Sequence, residues 1–399
     1  MRKRWVVHVG AGPWQASAIR RVKELGYRTL AIDGNPASIG FSIADDFLVA
    51  DIGDVQGVAK AVLAYFGASS ESPVAVVCTA CEIGMLSAAN LRQVYDLPGT
   101  KLNLARRLTN KGAQRSAWSL LASPKYFVSG GRDLPSESEL AEFRTDKLII
   151  KPVDSSGSRG ITVVPRGELR AEHLEKALQF SKNGEVIIEE FIQGTEYTIE
   201  SVRLAGTSYP VLVTKKGKVA GTESTVANVL KSFPLDECRA GKIGSLLQCA
   251  HDALGYQNGV CHTEVIEDIR GSFWLVETAG RGAGFGVSEN FIKYASGYDY
   301  FEASLYFDLG LPVDIPPPKL PEIISAVRFM ECIPGVFVDI VNESNFVVYP
   351  LLEPGTLMSS PKSDADRMAY FYVQGASEYE VDSKMSNILE KIKIKVEAR

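Results

Sequence analysis

At 399 residues the chain has room for two or three domains, each with its own core. A formal net charge of −5 argues against a nucleic-acid binder that lives on phosphate contacts, yet leaves room for a local cluster of lysines around a nucleotide. No apolar run reaches the roughly 18 residues of a membrane-spanning helix. Six cysteines without a repeated spacing suit a reducing cytoplasm.

The chain opens with a basic end and a short apolar run, residues 5–9, that flows straight into glycines. That pattern reads as a first β-strand and not as a secretory leader. Residues 14–25 read as a helix closed by Gly26, and Tyr27 to Ile32 as a second strand ending at Asp33. Phe47-Leu-Val-Ala, a helix over 55–66 and the strand Val74–Cys78 continue the alternation. Strands alternating with helices predict a doubly wound, parallel α/β domain up to about residue 108. Cys78 and Cys81 form a single CxxC at the end of that last strand. With no second CxxC and no nearby histidine, four zinc ligands are not available.

A different texture follows. Asn110 to Leu121 reads as a helix, Leu148–Lys151 and Ile161–Val164 as strands flanking a Gly/Ser-rich loop, 171–182 as a helix and Val186–Glu189 as a strand. Residues 195–203 and 209–214 alternate as strands, 237–254 is helical, and 259–277 makes two strands around a short turn. The proline-rich stretch Gly310 to Pro321 reads as a boundary or surface crossing. The remainder is mixed and ends in a charged helix from about 383.

Two glycine-rich segments compete for a nucleotide. Gly10-x-Gly12-x-x-Gln15 follows a strand and has Asp33 about twenty residues on, as in a dinucleotide-binding turn. Gln15 replaces the third glycine, however, and a tight first turn explains the pattern better. The second segment is Lys151-Pro-Val-Asp-Ser-Ser-Gly157-Ser-Arg-Gly160. Its small residues let backbone N–H groups approach phosphate oxygens, and Lys151 supplies a point charge to them.

The paired carboxylates carry most chemistry. If the strands around residues 259–277 form a hairpin centred between Arg270 and Gly271, paired positions sum to 541. Glu264 then lies opposite Glu277, with Cβ atoms about 5 Å apart on one face. Like charges so placed need a neutralising partner, and a hard divalent cation that shares one or two carboxylates with substrate phosphates is such a partner.

In their order, these motifs resemble the ATP-grasp superfamily over residues 109–300. Thr109-Asn-Lys111-Gly-Ala-Gln-Arg115 looks like its first nucleotide-binding lysine. Lys151 with Asp154 to Gly160 looks like its second lysine and phosphate lid. Glu189-Glu190-Phe-Ile192-Gln-Gly-Thr-Glu196 looks like its adenine hinge with the ribose-binding glutamate. Glu264 and Glu277 match its two Mg²⁺ carboxylates, and Arg281 its catalytic arginine. Ala279 stands where the family usually has a metal-binding asparagine, as in dipeptide-forming amino-acid ligases.

The resemblance implies a pre-ATP-grasp domain (1–108), a lid subdomain (109–188), a catalytic subdomain with the metal site (189–309) and a C-terminal segment completing it (310–399). It implies a ligase that uses ATP and Mg²⁺, with Mn²⁺ as a substitute, to couple a small carboxylate to an amine. ATP would be held by Lys111, Lys151, Ser155, Ser156, Gly157, Ser158, Glu189, Glu190, Ile192 and Glu196. Arg281 and Lys151 would act on the transferring group, and Glu82 and Arg328 are candidates for holding substrates. Lys215 or Lys216 could add a phosphate contact. The alternatives are a carboxylase or carbamoyl-phosphate type of ATP-grasp enzyme, or an NAD-dependent oxidoreductase using Gly10, Gly12 and Asp33. The expected partners are small molecules; a homodimer is compatible with the sequence, and neither nucleic acid nor membrane is expected.

Overall fold

The computed structural model describes residues 4–68, 71–218, 227–232, 234–317, 322–361 and 366–397. The first strand, β1 (Trp5–Val9), is buried at every position, as a central strand of a parallel sheet must be. The backbone turns at Gly10 with φ +95° into helix α1 (Pro13–Glu24), which has proline in its first turn. Next come β2 (Arg28–Asp33), β3 (Asp46–Val49), α2 (Val55–Gly67), β4 (Pro73–Val77) and α3 (Met85–Val94). The four strands form a parallel sheet in the order β3-β2-β1-β4. Val58 and Val62 of α2 and Ala88 and Leu91 of α3 pack on one face, and Ala18 and Val22 of α1 on the other. The doubly wound reading of this region therefore holds.

Helices α4 (Leu102–Leu108) and α5 (Lys111–Ala117) lead away from the sheet. The Asn110 side chain caps α5 by accepting the Ala113 N–H at 2.8 Å. The sequence places α5 in the lid, but its side chains anchor it elsewhere. Gln114 exchanges hydrogen bonds with the backbone of Thr278 at 2.8 and 3.0 Å, and Trp118 Nε1 donates to Ala250 O. The lid begins with β5 (Tyr126–Ser129), α6 (Glu137–Ala141), β6 (Lys147–Pro152), β7 (Thr162–Pro165), α7 (Ala171–Leu178) and β8 (Val186–Glu190). Its four strands form an antiparallel sheet, β5-β8-β6-β7, around Leu148, Ile150, Leu174 and Ile188.

The larger body is built on β9 (Gly194–Leu204), β10 (Thr207–Lys218), β11 (Ala227–Ser232), α8 (Glu237–Leu254), β12 (Gly259–Asp268) and β13 (Phe273–Ala279). Helices α9 (Ile292–Ser296) and α10 (Tyr300–Leu309) follow. Leu305 and Leu309 of α10 join Ala18 and Val22 of α1 on Val6, Ala75 and Val77 of the first sheet, while Tyr300 at its start packs with Val202 and Val260 of the large sheet. At the same time Tyr300 OH donates to Cys261 O in β12, which ties the two sheets together.

The C-terminal region contributes β14 (Ile324–Glu331), β15 (Gly335–Asn342), β16 (Val348–Pro350), β17 (Leu357–Met358), β18 (Arg367–Gly375), α11 (Glu378–Glu390) and β19 (Ile392–Glu397). Three of these strands complete an eight-stranded sheet, β13-β12-β9-β10-β11-β14-β18-β16; the other three form a small sheet beside it. The expected final helix starts earlier, after its N-cap Ser377, and gives way to β19, which pairs along its length with β15 and turns Ile392, Ile394 and Val396 toward the core. The last four residues of the proline-rich stretch, 318–321, lie outside the described residues. Among the described residues no helix is long and apolar enough to cross a membrane.

Candidate active site

The β12–β13 hairpin sets the centre of the site. Its register pairs Glu264 with Glu277, the pairing the spacing predicts. The route differs from the expected one. Near the turn the strands pair one residue out of that register, Val265 with Leu275, and a bulge at Val276 restores it before the carboxylates. Both glutamates line one cleft of about 230 Å³ between lid and body. Lys111, Arg115, Lys151, Arg159, Lys216, Arg281 and Arg367 line the same cleft, so the two facing carboxylates sit among seven lysine and arginine side chains.

Each lysine is aimed by a specific partner. Lys111 begins α5, and its Nζ reaches Ser155 O at 2.7 Å and Glu277 Oε2 at 3.2 Å. Its own N–H donates to Val153 O, so the helix start and the lid loop are stitched together. Lys151 Nζ meets Glu189 Oε2 at 2.7 Å, and Arg115 Nε meets the other oxygen at 2.7 Å. Glu189 is fully buried. Burial alone would raise its carboxyl, but Arg115 and Lys151 outweigh it and bring it down to about 2. Its side chain therefore holds Lys151 in place at the wall of the cleft.

Lys216 Nζ lies 2.5 Å from Glu264 Oε1. Burial would raise the Glu264 carboxyl; Lys216 and His262 hold it well below the usual carboxylate range. Lys215, its neighbour, points to solvent, as alternation along β10 requires. Arg281 Nε donates to Glu82 Oε2 at 2.5 Å, which brings together two residues the sequence assigned to different roles. Burial works against the Arg281 charge, while Glu82 and Glu277 favour it and raise its value.

The lid loop Ser155–Ser158 lines the cleft, with Gly157 and Ser158 at φ +72° and +60°. Ser155 Oγ is buried without a hydrogen-bond partner among the described residues. Glu190, Ile192 and Glu196 line the cleft as expected. Yet the Glu190 carboxylate accepts the backbone N–H groups of Lys125 and Arg144, so its side chain braces the hinge. Glu196 pairs with Lys218 Nζ at 2.6 Å.

Arg328 sits elsewhere. Its guanidinium bonds Glu331 Oε1 at 3.0 Å and the carbonyls of Asn228 and Phe329, outside the cleft lining. A position on the adjacent strand, Arg367, reaches the cleft in its place, with its guanidinium over the rings of Phe329 (3.8 Å) and Phe285 (4.6 Å). His262 was also missed. It lies two residues before Glu264, hence on the same strand face, and that period is the signal that could have found it. Its Nδ1 is 2.5 Å from the buried Glu200, and Nε2 is 3.5 Å from Glu264. Burial lowers the imidazole; Glu200 and Glu264 outweigh it and raise it to about 9.

The donor set fits ATP with a hard divalent cation. Two facing carboxylates provide hard oxygens, and the lysines that now neutralise them are the groups that would turn to phosphates. The unpartnered Ser155 hydroxyl lies in a loop of small residues at positive φ, the kind of backbone that cradles phosphate oxygens. The Gly10 turn does not fit a dinucleotide. Asp33 Oδ2 accepts the Ala11 N–H at 2.8 Å, the Gly10 N–H donates to Ile32 O, and Gly40 packs directly over Ala11.

A cleft of this make-up, between a smaller antiparallel sheet and a larger antiparallel body, fits a nucleotide with a divalent cation. Residues 145–289 match the family described as ATP-grasp domain, and the chain has the ATP-grasp fold throughout its length. It is similar to the alanine–anticapsin ligase of Bacillus subtilis (strain 168), 28% identical over 194 residues, which is 42% of this chain and 40% of that protein. The chain thus matches about two-fifths of the length of the first curated relatives. The L-amino acid ligase from Bacillus licheniformis superposes with a TM-score of 0.80 at 18% identity, over 100% of both chains. The biotin carboxylase domain of Hydrogenobacter thermophilus 2-oxoglutarate carboxylase, solved with MgADP and bicarbonate, superposes at 0.75 and 16% identity, covering 98% of this chain and 91% of that one.

Proposed function

We propose that this chain is an ATP- and Mg²⁺-dependent ligase that activates a small carboxylic acid, an amino acid, as an acyl phosphate and couples it to an amine. The observation that carries the reading is the Glu264–Glu277 pair, facing each other across one hairpin in a cleft lined by Lys111, Lys151, Lys216 and Arg281. When bound, Mg²⁺ would be held by Glu264 and Glu277 and would neutralise the phosphate charge. Lys111 and Lys151 would hold the phosphates, with Ser155, Ser156, Gly157 and Ser158 closing over them. Glu190, Ile192 and Glu196 would line the adenine and ribose end.

The substrate carboxylate oxygen attacks the terminal phosphorus, ADP leaves, and the amine then displaces phosphate from the acyl carbon. Little covalent work falls to the protein, so placement and charge carry the rate. Arg281, held by Glu82, would stabilise the developing anion. Arg367, rather than Arg328, would supply the guanidinium for a substrate carboxylate on the C-terminal side of the cleft. Alanine at position 279 and the similarity to alanine–anticapsin ligase support an amino acid as substrate.

The test is a panel of amino acids with ATP, Mg²⁺ and hydroxylamine. The expected result is acid-dependent ADP formation with a hydroxamate product, replaced by an amide when a second amino acid is supplied. Acid-dependent ADP formation that yields neither product would overturn the amine-ligase reading and favour carboxylation.

A further inference from the structure

The CxxC pair is left over by the ligase chemistry, and the structure places it against the catalytic arginine. Cys78 directly follows the buried strand β4, and Cys81 lies three residues on, after Ala80 at φ +47°. The two sulfurs share one small space. Each Sγ is 3.3 Å from the point that a side-chain carbon on Gly84 would occupy, so glycine there keeps the space open for both. Cys78 Sγ is also 3.4 Å from Cys81 O. Both thiols are free. Among the described residues no group of three or more metal-ligating side chains gathers around them, so a thiolate metal site is not built here.

The two ends of this turn are held differently. The Cys78 end is fixed by its N–H to Asp308 Oδ2 at 3.2 Å and by Gln15 Nε2 to Thr79 O at 3.0 Å. The Cys81 end is the partly exposed one, and the next residue, Glu82, carries the carboxylate that holds Arg281. A hydrogen bond from the Cys78 thiol, with help from the Gly84 N–H and the Arg281 charge, keeps Cys81 below its ordinary value, whereas Cys78 is pushed well above its own by that bond and by burial. A partly exposed cysteine that accepts a hydrogen bond from a second thiol beside it is the arrangement in which thiol–disulfide exchange is fast.

We propose that Cys78 and Cys81 are a reversible disulfide site, oxidised by low-molecular-weight disulfides, whose closure displaces Glu82 from Arg281. The Cys81 thiolate attacks the small disulfide RSSR, forming a mixed disulfide and releasing one RS⁻. Cys78, giving up its proton, then attacks the Cys81 sulfur and releases the second RS⁻. The protein loses two electrons and two protons, and RSSR becomes two RSH. An S–S bond of about 2 Å draws the Cys81 end toward the fixed Cys78 end, and Glu82 moves with it. Loss of activity on closure rests on the ligase reading; formation of the bond does not.

The experiment treats the reduced full-length protein with oxidised glutathione, blocks remaining thiols and digests with trypsin. Cys78 and Cys81 fall in one tryptic peptide between Lys60 and Arg92, so an internal disulfide makes that peptide lighter by two hydrogens and unreactive to the blocking reagent. The expected result is that closed peptide, with acid-dependent ADP formation lowered by about 10²-fold, as for misplacement of one anion-stabilising group, and restored by dithiothreitol. C78S should carry a mixed glutathione disulfide at Cys81 and no closed peptide, and C81S should carry neither. Both thiols still reactive after oxidation of the folded protein would overturn the site. A closed peptide with unchanged ADP formation would overturn its link to Arg281. Reduced protein without acid-dependent ADP formation would instead count against the ligase reading, while the peptide masses still decide the disulfide.

Discussion

The turn Gly10–Gly12 and the loop Asp154–Gly160 both follow a buried strand, and both place small residues at positive φ. Their surroundings set them apart. At the first, the Gly10 and Ala11 amides are spent on Ile32 O and Asp33, and a side-chain carbon on Gly40 would lie 2.6 Å from Ala11 O. At the second, a side-chain carbon on Gly157 would meet nothing within 4 Å, and Ser155 Oγ is unpartnered. A glycine turn is a ligand cradle only when its donors are left over after the fold has taken its share. The second loop accordingly keeps a lysine and a carboxylate beside it, since Lys111 Nζ reaches both Ser155 O and Glu277 Oε2.

The strongest test of that contrast is Glu277→Ala. It should lower ADP formation by about 10²–10³-fold with the circular dichroism spectrum unchanged, in line with losing one anchor of transition-state charge. Retention of more than half the activity at saturating Mg²⁺ would break the metal assignment. Glu189→Gln comes next, as a change in stability. It leaves Lys151 and Arg115 buried without their counter-charge, and urea unfolding should show a loss of about 3–5 kcal/mol. An unchanged midpoint would mean that Glu189 does not position Lys151.

The glycines themselves sharpen the comparison. Gly40→Ala should cost about 1–3 kcal/mol through overpacking on Ala11, with turnover per folded molecule preserved. Gly157→Ala has open space and only a strained φ, so its cost should be about 1 kcal/mol and its effect should fall on the KM for ATP. Hydrogen exchange reads the same contrast without mutation. ATP with Mg²⁺ should slow exchange over residues 154–160 and leave 10–12 unchanged; protection confined to 10–12, or brought about by NAD, would reverse the assignment.

The smallest effect concerns acid stability. Burial lowers His8 and His251 to about 3. The depressed folded value means that the unfolded chain takes each proton first. The stabilisation is therefore fully present above about pH 6.5 and is lost as pH falls from there toward 3. At pH 5.5 each histidine should cost about 1 kcal/mol relative to pH 7.5. His251→Asn should flatten the dependence of the urea midpoint over that range, and an equally steep slope would show that His251 is not kept neutral by the fold.

Local signals carried a large part of this molecule. The parallel sheet was legible because alternating apolar runs and helical periods need no distant partner to be recognised. The facing of Glu264 and Glu277 followed from two strands, a short turn and the two-residue period, although the bulge at Val276 that makes the register work leaves no mark in the sequence. Lys151 was legible as a lysine interrupting an apolar strand and the loop after it as a run of small residues, whereas Lys111 was legible only through the resemblance to a family.

Tertiary structure decided the rest, because it depends on which groups compete for the same partner. Glu189 reads as part of a hinge, yet two cations from α5 and β6 converge on it and turn it into a buried anchor. Arg328 and Arg367 are equally plausible as sequence. Only the presence of Glu331 beside Arg328, and of the Phe285 and Phe329 rings beneath Arg367, directs one away from the cleft and the other into it. The roles of α5 and α10 were set in the same way, since a helix packs on whichever sheet offers a matching face, and that face is made by residues far away in the chain.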